Sequence, residues 1–145
     1  MRQKDLEAVR QYNNLIYTQQ IRIEQLRAAA AYGSQALDPV GGSHGSLTNK
    51  LELIVERIDK VERKVDELEE KKAAATRKIF AAVKSEIDDE KQKHIIYLRY
   101  IATNQGRPLE WDEVIKLVKK RHKIQERRIY ELHHIAVKKL ERYNI

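Results

Sequence analysis

Apolar positions recur at helical spacing along most of this chain and divide it into two long and three short amphipathic segments. From residue 3 to about residue 31, Leu6, Val9, Ile16, Ile23 and Ala30 recur at intervals of three, four or seven, the spacing that lines one face of an α-helix. Asn13, Gln20 and Arg27 take the intervening seam positions and dilute the stripe, whereas Tyr12, Leu15 and Leu26 widen it. The second stripe is stronger. Leu47, Leu51, Ile54, Ile58, Val61, Val65 and Leu68 alternate intervals of four and three, then drift through Ala75, Ile79, Phe80, Val83 and Ile87, as an undistorted 3.6-residue helix does. Glu56 with Lys60, Asp59 with Arg63, and Glu67 with Lys71 stand at i,i+4 and are expected to pair. A helix from Leu47 to about Ile87 would be roughly 60 Å long at 1.5 Å per residue and cannot bury its stripe alone. The first segment, folded back as an antiparallel hairpin, would cover part of it. A second copy of the chain is expected to cover the surplus, giving a homodimer or higher homo-oligomer. Packing of the C-terminal region on the surplus is the alternative.

Breaks are few. Four of the five Gly (33, 41, 42, 45) and Pro39 fall between Tyr32 and Leu47, so residues 33–46 are expected to form a loop. Gly106 and Pro108 mark a second break, in Thr103-Asn104-Gln105-Gly106-Arg107-Pro108. Before it, Asp88-Asp89-Glu90 sets acids at a helix start, where the macrodipole favours them, and Ile95, Ile96, Leu98, Tyr100 and Ile101 follow. After it, Leu109 to Val118 reads as another helix with acids in its first turns. The basic run Lys119-Lys120-Arg121-His122-Lys123 is expected to be the turn before a last helix, from near Ile124 towards Tyr143. The stretch from Val118 to Ile129 thus reads as longer than a tight turn, and the gap from Tyr100 to Trp111 as extended. Trp111, Tyr97 and Tyr100 are expected to pack in the core, with one tyrosine hydroxyl reaching solvent. The expected architecture is all-α: a helical hairpin or coiled coil over 1–87, then a domain of short helices over 88–145.

Composition narrows the chemistry. The chain has 145 residues, 35% of them charged, and no cysteine. Disulfides, thiolate metal sites and thiol nucleophiles are therefore excluded. No run approaches the roughly 18 apolar residues of a membrane span. The start, Met-Arg-Gln-Lys-Asp-Leu-Glu, has no apolar run behind it and is not expected to be a secretory signal. The net charge of +7 is unevenly placed: residues 94–145 hold 12 Lys and Arg against 6 Asp and Glu (+6), and residues 1–93 hold 17 against 16 (+1). A balanced body with a basic end suggests an assembly part joined to a part that binds a polyanion, double-stranded DNA first among the candidates.

Three short helices, the last two joined by a polar turn, have the sequence shape of a helix-turn-helix domain. At 100° per residue, Ile129, Leu132, Ala136 and Leu140 share one face of the last helix, with His133 at its edge. Arg127, Glu131, His134 and Lys138 lie opposite, flanked by Arg128 and Tyr130. Guanidinium, carboxylate and imidazole groups on that face suit base edges in a major groove. The basic run before it suits phosphates. Glu131 and His134, at i,i+3, could supply half a metal site, but no second such pair exists and no metal or cofactor is expected. No phosphate-binding loop, nucleophile elbow or triad spacing is present, and no enzyme is expected.

The order Ile96-Tyr97-Leu98-Arg99-Tyr100-Ile101, then Trp111-Asp112-Glu113-Val114, then His133-His134-Ile135-Ala136-Val137-Lys138-Lys139-Leu140 resembles phage-encoded late transcriptional regulators of the RinA and ArpU type. Their C-terminal part is similar to the fourth conserved region of bacterial sigma factors, which binds the promoter −35 element. The resemblance implies a recognition helix from Gln125, with Glu126, Arg127, Tyr130 and Glu131 on bases. Arg128 and His134 join them as base contacts on the angular reading. Lys119, Lys120, Arg121, Lys123, Gln125 and Lys138 are the expected phosphate contacts. The resemblance further implies a bacterial host cytoplasm, association with the nucleoid, and host RNA polymerase as a partner. A DNA-packaging protein of the terminase small-subunit type, which also joins helix-turn-helix and coiled-coil parts, is the second reading. A coiled-coil adaptor whose basic end meets an acidic protein is the third.

Overall fold

The computed structural model describes residues 1–36 and 46–143. Five helices and a two-stranded hairpin make up the described residues: α1 (Gln3–Ala36), α2 (Ser46–Glu86), α3 (Glu90–Tyr100), β1 (Thr103–Asn104), β2 (Arg107–Pro108), α4 (Trp111–His122) and α5 (Glu126–Glu141). The fold is all-α apart from that hairpin. Of the loop expected over 33–46, residues 37–45 lie outside the described residues. Helix α1 runs on through Gly33 to Ala36, because one Gly costs a helix only about 1 kcal/mol relative to Ala. No helix among the described residues is long and apolar enough to cross a membrane.

The chain divides into two compact units, Leu15–Glu69 and a larger one of Met1–Asn14 with Glu70–Ile145. A boundary at residue 88 would separate residues that share one core. Leu6, Val9, Ile79, Ala82 and Ile87 pack with Ile96 and Tyr100 of α3 and with Ala136 and Leu140 of α5. In the smaller unit, Ile16 and Ile23 of α1 and Val61 and Leu68 of α2 are buried, while Leu15, Leu53 and Val55 are exposed. An ion pair in this unit joins Arg27 Nη2 to Glu62 Oε1 at 3.2 Å. Among the described residues the three expected pairs along α2 do not close to bonding distance. Such exposed pairs gain little against side-chain entropy.

In the larger unit a second apolar cluster joins Ile95 and Leu98 of α3, Leu109, Val114, Ile115 and Val118 around α4, and Ile129 and Leu132 of α5. Helix α5 therefore serves both clusters. Each fully buried Ile or Leu contributes about 1.5–3 kcal/mol, and the repeat Ile129, Leu132, Ala136, Leu140 fixes the rotation of the helix. Tyr97 departs from expectation: it is exposed, because it lies off the face that α3 buries. Tyr100 is buried, and its hydroxyl meets His133 Nε2 at 2.8 Å rather than solvent.

Local chemistry sets the ends of these elements. Asp5 Oδ2 accepts from Arg2 N at 2.9 Å at the start of α1, and Asp89 Oδ1 accepts from Lys91 N at 3.2 Å at the start of α3. Glu113 Oε1 accepts from Glu110 N at the start of α4. The gap between Tyr100 and Trp111 is filled by the hairpin, in which Thr103 faces Pro108 and Asn104 faces Arg107. Gln105 and Gly106 make its turn with φ of 52° and 84°, the two left-handed positions of a type I′ turn, which Gly supplies without steric cost. The lengthened turn after Val118 is absent. Helix α4 continues through His122, since Lys and Arg are good helix formers and cations are favoured at a helix C-terminus. Three residues, Lys123-Ile124-Gln125, then lead into α5.

Arg10 ties the first helix to this arrangement. Its Nη1 donates to the carbonyl of Arg99 at 2.8 Å, at the end of α3, and to that of Leu109 at 2.6 Å, ahead of α4. Its side chain is 11% exposed, with Glu7 Oε2 at 3.6 Å and Glu110 Oε1 at 3.8 Å. Burial, and then the positive charge of Arg99, lower its pKa. Arg10→Met removes the Arg10 donor from both carbonyls, leaving Leu109 O only the longer bond from Arg99 Nη1 at 3.4 Å, and should lower stability in urea by about 2–3 kcal/mol. The exposed control Arg22→Met should change it by less than about 0.5 kcal/mol. Equal effects would show that the two carbonyls do not depend on Arg10.

Candidate nucleic-acid interface

The basic end of α4 and the outer face of α5 come together at the three-residue connection. Lys123 has φ 54° and ψ 42°, and its N–H returns to Lys119 O at 2.9 Å, closing α4. A left-handed residue there reverses the chain direction, at a cost of about 1–2 kcal/mol for a side chain with a Cβ. Ile124 packs partly against the second apolar cluster and anchors the connection. Gln125 is the N-cap of α5 without a side-chain hydrogen bond; its carbonyl accepts from Ile129 N at 3.1 Å.

With Ile129, Leu132, Ala136 and Leu140 buried, the residues expected to meet bases face outward: Glu126, Arg127, Arg128, Tyr130, Glu131 and His134 are all exposed. The Arg127 side chain is 92% exposed and reaches Glu131 Oε1 through Nε at 3.5 Å, while Arg128 Nη1 reaches Glu131 Oε2 at 3.2 Å. Glu131 thus stands between the two guanidiniums and neutralises part of their charge. A partner offering anions or acceptors must compete with these exposed pairs, which are weak.

Lys119, Lys120, Arg121, Lys123 and Gln125 are also exposed. The first three occupy the last turn of α4 rather than a turn between helices. Lys138 is exposed but lies 12 residues along from Glu126, about 18 Å away at 1.5 Å per residue, and pairs with Glu141 at 3.5 Å. It does not join the others. One cation escaped the sequence reading. Lys116 is exposed one turn before Lys120, and the i,i+4 spacing to that lysine is the signal that marks it.

A cluster of rings supports this face from behind. Arg99 Cζ lies 4.7 Å from the Trp111 ring centroid, a cation–π distance. Trp111 is half-buried, and its ring meets Tyr130 at 5.1 Å and His133 at 4.7 Å. Tyr130, 41% exposed, is therefore held from one side and open on the other. Burial, then Arg99, then His134 push the His133 pKa down to about 4. Burial raises that of Tyr100. At neutral pH the imidazole is neutral against the Tyr100 hydroxyl.

A base whose folded pKa lies below its unfolded value, near 6.5 for His, contributes stability above that value and loses it on acidification. The Tm should therefore fall as pH is lowered from about 6.5 towards 4. His133→Gln keeps a polar partner for Tyr100 without titrating, and should flatten that part of the profile in thermal melts. An unchanged slope would mean that His133 is not buried as a neutral ring. Comparison with family models, curated proteins and solved structures finds no match to this chain.

Proposed function

We propose that this protein is a sequence-specific DNA-binding transcriptional regulator of the phage or prophage late-gene type, with α4 and α5 acting as a helix-turn-helix. The observation that carries the reading is the outward face of α5, with Arg127, Tyr130 and His134 exposed beside the cationic last turn of α4. Arg127 and Arg128 suit guanine edges, and Glu131 suits cytosine amino groups. Lys116, Lys119, Lys120 and Lys123 suit phosphates, which position a domain without reading sequence. The resemblance of the C-terminal segments to sigma-like regulators supports the same reading. So does the charge excess of residues 94–145.

The smaller unit would join two copies of the chain, or contact host RNA polymerase in the bacterial cytoplasm. Exposed Leu15, Leu53 and Val55 support association there, since among the described residues its buried core is confined to a few side chains. Light scattering measures the outcome: a dimer accords with the regulator. A ring of many copies that stimulates a packaging ATPase favours the terminase small-subunit reading instead.

Selection of bound fragments from random duplex DNA, followed by fluorescence anisotropy, tests the proposal. Four to six phosphate contacts should give a slope of log K against log salt of about −3.6 to −5.4. Arg127→Ala should cost about 1–3 kcal/mol on the selected site and relax one base position. Lys120→Ala should weaken all duplexes alike and reduce the salt slope by about 0.9. Identical sequence profiles in the two variants would overturn this division of roles. No duplex binding at low salt would overturn the proposal itself and favour the adaptor reading.

A further inference from the structure

His94 of α3 and His122, the last residue of α4, stand with Nδ1 and Nε2 3.1 Å apart. Their rings meet edge to face with centroids 5.2 Å apart, and both residues are half-buried. One imidazole must donate the proton and the other accept it, whichever tautomer each adopts. When both carry two protons, two N–H groups face each other and the bond is lost.

The pair borders a strained position in the chain. Immediately after His122 comes Lys123, whose left-handed backbone is costly for a residue with a Cβ. The N–H of that same residue closes the helix end on Lys119. The last turn of α4 is thus held by a strained cap, and the imidazole pair fastens it to α3. Arg121 and His122 face His94 from α4; burial foremost, then Arg121, then His122 lower the His94 pKa. On α3 itself, Lys93 is turned to Glu90 at 3.6 Å. From α5, Lys139 Nζ is held on Gln92 Oε1 at 3.1 Å. Burial and the facing Arg121 therefore oppose a proton on His94.

We infer that His94 is a positioning residue for the cationic end of α4: through His122 it holds the turn carrying Lys119 and Lys120 in place for an anionic partner, and it releases that turn when both imidazoles are protonated. Only the identity of the anion, duplex DNA, rests on the function proposed above. The latch acts on the folded chain whether or not DNA is present.

Amide hydrogen exchange by NMR on the full chain tests it, through the protection factor of the Lys123 N–H at pH 7.5 and at pH 4.5, the latter about two units below the ordinary imidazole value near 6.5. In the unaltered protein that factor should drop about tenfold over this interval, as a local opening that leaves Ile129 and Leu132 protected. His94→Asn places a non-titrating amide near the position of Nδ1, and its Lys123 protection should change by less than about twofold. His122→Gln does the same from the other side and stands in should the first variant fail to fold. A flat response in the unaltered protein, or the same drop in both variants, overturns the latch. The selected duplex, added at each pH, forms a separate arm. If exchange responds as expected and no duplex binds at either pH, the DNA reading fails while the latch stands. If duplex binds at both pH values and exchange is flat, the latch alone fails.

Discussion

The larger unit depends on how α5 divides its buried face between two apolar clusters. Ile129 and Leu132, in its first half, complete the cluster that α3 and α4 form. Ala136 and Leu140, in its second half, complete the one formed with α1, α2 and α3. A helix anchored at both ends against different neighbours can neither roll nor slide without exposing one set or the other, and close packing makes either costly. The outward direction of Arg127, Tyr130 and His134 is a consequence of that constraint. The small volume of Ala136 lets the helix approach closely in the middle of the buried stripe.

Around this helix the polar groups are arranged to avoid unsatisfied burial. Arg10 serves the carbonyls of Arg99 and Leu109, where the chain leaves α3 and prepares to enter α4. Buried carbonyls without donors would cost more than the modest net value of a hydrogen bond, so one guanidinium stabilises a connection that has little regular structure. The Tyr100–His133 pair does the same between α3 and α5. Asn13 departs from this economy: it is buried, and its Nδ2 has no hydrogen-bond partner. Nothing in the structure explains that atom.

Much of this was legible in the chain. The stripe Ile129, Leu132, Ala136, Leu140 predicted the buried face of α5 residue by residue, because a short helix on a core has one face to hide and 3.6 residues per turn define it. Acids at Glu90, Asp112 and Glu113 marked helix starts for the same local reason. The hairpin was not legible as such. The pair Gln105-Gly106 signals a turn, but two-residue strands have too few positions for an alternating pattern to show. The extension of α4 was missed because a run of Lys and Arg resembles a polar loop in composition while being compatible with helix in propensity.

The amino-acid order alone determined the helical character of the chain, the face that α5 buries and the concentration of positive charge after residue 94, since each follows from local spacing and side-chain chemistry. Only the tertiary structure decided that residues 1–14 belong with the C-terminal helices, that Tyr100 meets His133, that Tyr97 does not join the core, and that His94 meets His122. These are contacts between residues far apart in the chain. They depend on the rotation and offset of whole helices against one another, which periodicity within a single helix does not specify.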